Sequence, residues 1–286
     1  MEVILQQFAN LSVLIYIVST MLSMGLSFFP KQFIEPLKDK KLILKSLAAN
    51  FILLPIMTYI ILQLIPLQPG LAIGLILMAA GAGSPFMLKL VQFVKADMAF
   101  AVGLMLILSI VTLIYMPLLL SFLLPGISVN PVSIGFSLLI LIFLPLISGT
   151  ALKWRYSNIA ETIKPTFNQI SNIFIFLVVF LYLGLNYQDF LTVFGTGALI
   201  AAVIFVLIAF LIGYILGGPS KNTKTVLGMG TAIRNSSAAL VVAVANFSAE
   251  YDVMAMIIVV YLLSIIIIML ISGEIGKRTG KVSEDI

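Results

Sequence analysis

The chain has 286 residues, 62% of them hydrophobic and 9% charged, against the ~25% charged residues of soluble domains. That composition excludes a soluble globular enzyme and predicts an all-α polytopic membrane protein, since apolar runs of twenty residues outlast the alternating segments of a transmembrane barrel. With no Cys and no His, disulfides, thiolate metal sites and the commonest general base are excluded, and the net charge of +5 sits in short loops rather than on a nucleic-acid-binding face.

Breaks at glycine, proline and charge clusters predict about nine transmembrane helices, near 5–29, 42–64, 70–94, 98–124, 132–152, 169–187, 196–217, 223–247 and 252–273. The first follows Glu2 without a basic n-region and is longer than a signal-peptide core, so it reads as a retained helix. Lys31, Lys38, Lys40, Lys41 and Lys45 follow it, whereas the next loop, 63–70, carries no charge. The alternation continues. Lys89 and Lys95 end the third span, and the segment 125–131 after the fourth is uncharged. Lys153, Arg155 and Lys164 follow the fifth, and only Asp189 follows the sixth. Lys221 and Lys224 follow the seventh, Glu250 and Asp252 the eighth, and Lys277, Arg278 and Lys281 close the chain. The positive-inside rule then places the N-terminus outside and the tail, 274–286, in the cytoplasm, as expected for an integral protein of a prokaryotic-type plasma membrane. Trp154 and Tyr156 read as an aromatic belt at the inner interface, and Asp97 and Asp252 as caps of the helices they open.

Within one transmembrane domain over 1–286, two inverted repeats are expected at 5–124, lacking its first helix, and at 132–273. Met24-Gly25-Leu26 matches Leu183-Gly184-Leu185. Asp97 precedes Leu108-Ser109-Ile110 by the same interval as Asp252 precedes Leu263-Ser264-Ile265, on opposite sides of the membrane. Each half also contains an interrupted span. The helix-breaking positions are Gly81, Gly83 and Pro85 in the third span and Gly228 and Gly230 in the eighth. Backbone freed in a bilayer is tolerated only where protein or a water-filled cavity satisfies it, and paired broken helices in inverted halves mark a midplane site. Small-residue packing and a proline kink would explain either span taken alone.

Fifteen of the sixteen basic residues follow the topology; Arg234 does not. It lies roughly ten residues into the eighth span, about 15 Å deep, where a permanently charged guanidinium costs at least about 2.5–3.5 kcal/mol. Asn50, Ser84, Thr231, Asn235 and Ser236 are the neutral polar residues expected to line the crossing with it, though such residues also bond between helices for packing alone.

Asn50-Phe51-Ile52-Leu53-Leu54-Pro55, Leu71-Ala72-Ile73-Gly74-Leu75-Ile76-Leu77, the glycine-rich break, Lys95-Ala96-Asp97-Met98-Ala99 and Arg234-Asn235-Ser236 follow one another as in the bile acid:sodium symporters, which the chain resembles over nearly its whole length. The resemblance implies an inverted-repeat secondary transporter fold with two discontinuous crossing helices, and a panel and a core that move against each other. It also implies where this chain departs from its relatives. The small polar positions of one sodium site fall on Ala101 and Met105, the acidic position on Gly230 and a glutamine position on Arg234. Sodium is therefore a doubtful cofactor, with Asn50, Thr231 and Ile233 as the remaining candidate ligands, and no other cofactor is implied.

Three roles for Arg234 stay open: a bidentate anchor for a substrate carboxylate, a tethered cation in sodium's place, or a donor to carbonyls freed by the breaks. The expected function is secondary active transport of a small organic anion (a carboxylate, an oxo acid or a bile-acid-like molecule) by alternating access. The alternatives are a sodium-independent efflux carrier or facilitator for metabolite anions and a non-transporting membrane sensor. An intramembrane enzyme lacks acid–base groups in the spans. An arsenite carrier would need a cysteine. The expected partners are the anion and the lipid bilayer.

Overall fold

The computed structural model describes residues 2–27, 39–123, 131–185, 193, 195–247 and 250–284. Lys31, Lys38 and Asp189 lie outside the described residues. Every described span is helical, as a bilayer requires of chains that must satisfy each backbone group internally. In chain order the helices are α1 (Glu2–Gly25), α2 (Lys40–Leu64), α3 (Pro69–Ala80), α4 (Phe86–Phe93) and α5 (Met98–Leu123). There follow α6 (from Pro131 to Arg155), α7 (Ser157–Leu185), α8 (Ala198–Leu216), α9 (Lys221–Ala232), α10 (Ser236–Asn246) and α11 (Tyr251–Glu284).

Local chemistry sets the ends. Asp39 caps α2 by accepting from the Leu42 N–H at 2.9 Å, and Asp97 caps α5 through the Phe100 N–H at 2.9 Å. Pro69 and Pro131 sit in the first turns of α3 and α6, where a missing N–H costs nothing. Inside α2 and α6 a π-helical turn, Ala49–Leu53 and Leu139–Phe143, precedes a Leu-Pro pair. The wider turn relieves the clash of the Pro55 and Pro145 rings with the preceding turn, so the helix continues where it would otherwise kink.

Two boundaries differ from expectation. Helix α7 begins at Ser157, about a dozen residues earlier than hydropathy suggests, separated from α6 by Tyr156 alone. The tight connection is stapled by an ion pair, Lys153 Nζ to Glu161 Oε1 at 2.8 Å. Asp252 lies inside the first turn of α11, whose first residue is Tyr251, rather than at its cap.

Helices α1, α6 and α7 pack on one another, with Gly25 and Gly149 at the closest approach of α1 to α6. A Cβ on Gly25 would stand 2.9 Å from the Thr150 nitrogen, so only glycine lets these backbones meet. The other group holds α2, α3, α4, α5, α8, α9, α10 and α11, in which α3 lies along α11 and α8 along α9, and α10 also touches α1 and α6. The twelve residues of α3 rise only about 18 Å, so that strand of chain crosses a ~30 Å core only by continuing, after a break, as α4. Within segment Lys221–Asn246 every residue of the apolar window is buried, while both ends of the segment are at least partly exposed.

Candidate functional site

The first break, Gly81 to Pro85, is extended at Gly81 and left-handed at Gly83 (φ +82°). Much of its freed backbone is taken up by neighbouring groups, as burial in a bilayer demands. Thr112 Oγ1 on α5 accepts from the Ala82 N–H at 3.0 Å and donates to the Ala82 carbonyl at 3.1 Å. Ser109 Oγ lies 2.9 Å from the Gly83 carbonyl and 2.8 Å from that of Met105, between which its one proton is shared. The Gly81 carbonyl accepts the backbone N–H of Asn235 at 3.0 Å.

That last bond joins the two breaks. The second falls at Ile233–Asn235, between α9 and α10, and not at Gly228 and Gly230. Those glycines are helical. They serve packing instead: Gly228 faces the ring of Phe210, and a Cβ on Gly230 would stand 3.1 Å from the Met87 sulfur and 3.2 Å from Leu104. What interrupts the helix is Asn235, whose side chain caps α10 by accepting from the Ala238 N–H at 3.2 Å, while its Nδ2 donates to the Gly83 carbonyl at 3.3 Å. Half-helix α10 packs on α3, and α9 packs on α4 and α5, so the broken helices cross.

Arg234 sits at this crossing with 0% exposure. Its Nε donates to the Met78 carbonyl at 3.0 Å and one terminal nitrogen to the Ala79 carbonyl at 2.6 Å. The other terminal nitrogen donates to Asn50 Oδ1 at 2.6 Å and to the Thr231 carbonyl at 3.3 Å. Met78 and Ala79 end α3, and Thr231 ends α9. The guanidinium thus rests against the negative ends of two half-helices, where a cation is favoured and the last carbonyls lack helical donors. Asn50 reaches it from the π-helical turn of α2 and donates through Nδ2 to Thr231 Oγ1 at 3.1 Å and to the Ser46 carbonyl at 2.9 Å. Ile233, fully buried, donates its N–H to the Met229 carbonyl at 2.8 Å.

The opposite, positive ends face elsewhere. Ser84, Pro85 and Phe86 open α4, and Asn235, Ser236 and Ser237 open α10; all six line a cavity of about 720 Å³ between α1 and α7 on one side and α4, α10 and α11 on the other. Arg234 does not line it. The sequence candidates therefore divide. Arg234, Asn50 and Thr231 form one buried cluster, whereas Ser84, Asn235 and Ser236 meet in the cavity. Gly81 and Gly83 shape the first break, and Pro85 is the N-cap of α4.

The far wall of the cavity was missed by reading single residues. Tyr16, Thr20 and Ser23 on α1 recur at helical spacing, as do Asn168, Ser171 and Asn172 on α7. The two stripes bond across their seam, Thr20 Oγ1 to Ser171 Oγ at 2.6 Å and Ser23 Oγ to Asn168 Oδ1 at 2.8 Å. The near wall adds Tyr261, whose ring meets Phe86 edge-on at 6.4 Å. Tyr16 Oη lies 3.4 Å from Ser236 Oγ, bridging the two helix groups. The hydroxyl of Ser237, 2% exposed, has no hydrogen-bond partner among the described residues.

Among the described residues eight helical segments, Lys221–Asn246 counted as one across its break, are long and apolar enough to cross a membrane, and α3 is a shorter apolar helix. No curated protein matches the chain. The chain matches the Sodium Bile acid symporter family over residues 14–193, which takes in the first break, Asn50 and the polar stripes of α1 and α7 but ends before Arg234. With more than half of its length in that match, this integral membrane protein belongs to the Sodium Bile acid symporter family and is a transporter of that type.

Proposed function

We propose that the protein is a secondary transporter that moves a small organic anion by alternating access, without using sodium as its coupling ion. The observation that carries this reading is the polarity of the four half-helices. Two N-terminal ends, with Ser84, Ser236 and Ser237, converge on the cavity, while two C-terminal ends, α3 and α9, are neutralised by Arg234. The first arrangement suits a carboxylate, which gains from the dipoles and the N–H groups at helix starts. The second suits a cation, and the chain supplies its own.

The residues at the two places where the resemblance would put sodium fit the ion poorly. Against Gly230 stand Met87 and Leu104, and these two, like Ala101 and Met105 at the other positions of that site, are buried and without a hard oxygen donor in their side chains. Of the remaining candidates, Asn50 Oδ1 and the Thr231 carbonyl already accept from Arg234, and Ile233 has only its backbone carbonyl to offer. The guanidinium therefore acts as a tethered counter-charge that holds the crossing together in every state of the cycle, and the substrate's anionic group binds across the crossing from it. Lys89 and Lys164 line the cavity, so the positive-inside assignment makes this state open to the cytoplasm.

Uptake of carboxylates into proteoliposomes tests the reading. Flux of a carboxylate that also raises the melting temperature of the purified protein is expected to be equal in sodium and potassium chloride. A strict sodium requirement would sink the tethered-cation part. Ligand-dependent stabilisation with no flux in either direction would turn the assignment towards a sensor.

A further inference from the structure

We infer, resting on the anion-transport reading above, that the substrate is a dianion: one carboxylate at the paired half-helix ends and a second anionic group between Lys89 and Lys164. Both lysines line the cavity, and no Asp or Glu does. Lys89 lies one turn beyond Phe86, the first residue of α4, so its backbone is only about 4.5 Å further along the helix. Its ammonium stands 5.7 Å from the centre of the Phe86 ring, which holds it over the cavity wall. Lys164 approaches from the other wall, on α7. The acidic residue one turn before it, Glu161, accepts instead from Lys153 at 2.8 Å.

Neither Lys89 nor Lys164 makes an ion pair among the described residues. Lysines that merely snorkel to the headgroups would lead their ammonium away from the protein; these two, from the two helix groups, border the same space. Two cations that line one cavity, with no carboxylate in its lining, repel, and the repulsion is relieved by an anionic group between them. A monoanion seated on Ser84, Ser236 and the unpartnered Ser237 would leave that position empty. A dianion fills both and spans the two helix groups with charge-assisted bonds.

Isothermal titration of the purified protein with glutarate and with pentanoate tests this, because the two acids share a five-carbon skeleton and differ by one carboxylate. At low ionic strength glutarate should bind about tenfold more tightly than pentanoate. Lys89→Gln and Lys164→Gln should each cut that ratio about threefold, and the double variant should bring it near unity. Lys221→Gln, outside the cavity at the start of α9, should leave it unchanged. Both cavity lysines are at least partly exposed, so folding is not at stake. Equal affinities in the parent protein, or a glutarate preference that survives in the double variant, would overturn the inference. Binding of neither acid would overturn the anion-transport reading as well; equal binding of both would overturn this inference alone.

Discussion

The backbone N–H of Asn235 donates to the carbonyl of Gly81 at 3.0 Å, so the two helix breaks are bonded to each other. A crossing built this way needs few side chains to hold it, and each carries a definite share. Gly83 supplies the left-handed turn, with φ +82°. A Cβ there would stand 2.5 Å from both the Met105 carbonyl and the Ser109 nitrogen. Gly83→Ala should therefore cost about 2–5 kcal/mol, from backbone strain and overpacking together. Thermal unfolding in detergent reads this directly, and an unchanged melting temperature would contradict the turn's role.

Thr112 satisfies both the N–H and the carbonyl of Ala82. Thr112→Val keeps the shape and removes both bonds, leaving a buried donor and acceptor dry at about 1–3 kcal/mol each. Thr112→Ser should restore most of the loss. Equal melting temperatures for the valine and serine variants would show that the hydroxyl is not what holds the break.

Arg234→Gln should lower the folded yield, since Met78, Ala79, Thr231 and Asn50 would lose a shared donor and each orphaned acceptor costs about 1–3 kcal/mol. It should also open a place for a cation. The variant is expected to melt at a higher temperature in sodium chloride than in potassium chloride, and the parent protein equally in both. Sodium-specific stabilisation of the parent would contradict the tethered cation.

Ser237→Ala removes a buried hydroxyl that has no partner among the described residues, so the fold should tolerate it with less than about 1 kcal/mol of change. Anion affinity should fall about three- to tenfold, the worth of one hydrogen bond. Loss of stability without loss of affinity would move Ser237 out of the site.

The membrane-helical architecture was legible because composition alone admits almost nothing else. The first break was legible too, since Gly81, Gly83 and Pro85 act on their own backbone. The second was misplaced by several residues because its cause is a side chain: Asn235 caps α10, whereas Gly228 and Gly230 yield space to Phe210 and Met87 without leaving the helix. The Arg234 cluster was legible in its members, Asn50 and Thr231, and in the open role of a donor to freed carbonyls, but not in its separation from Ser84, Asn235 and Ser236, because Asn50 lies 184 residues away and reaches it only through a π-helical turn. The cavity wall stood in the sequence as two polar stripes, 16/20/23 and 168/171/172, but their meaning depended on α1 lying against α7.

A cation covalently fixed at the crossing cannot dissociate at the end of a half-cycle. On the proposed reading, no sodium ion accompanies the anion, and an anion that crosses by itself carries net negative charge across the bilayer. The membrane potential then enters the energetics at about 2.3 kcal/mol per charge for every 100 mV, and twice that for a dianion. With a negative interior, this opposes entry and drives exit. A buried guanidinium at the α3 and α9 ends would thereby favour an exporter over an importer, by removing the ion whose inward gradient could pull the substrate in.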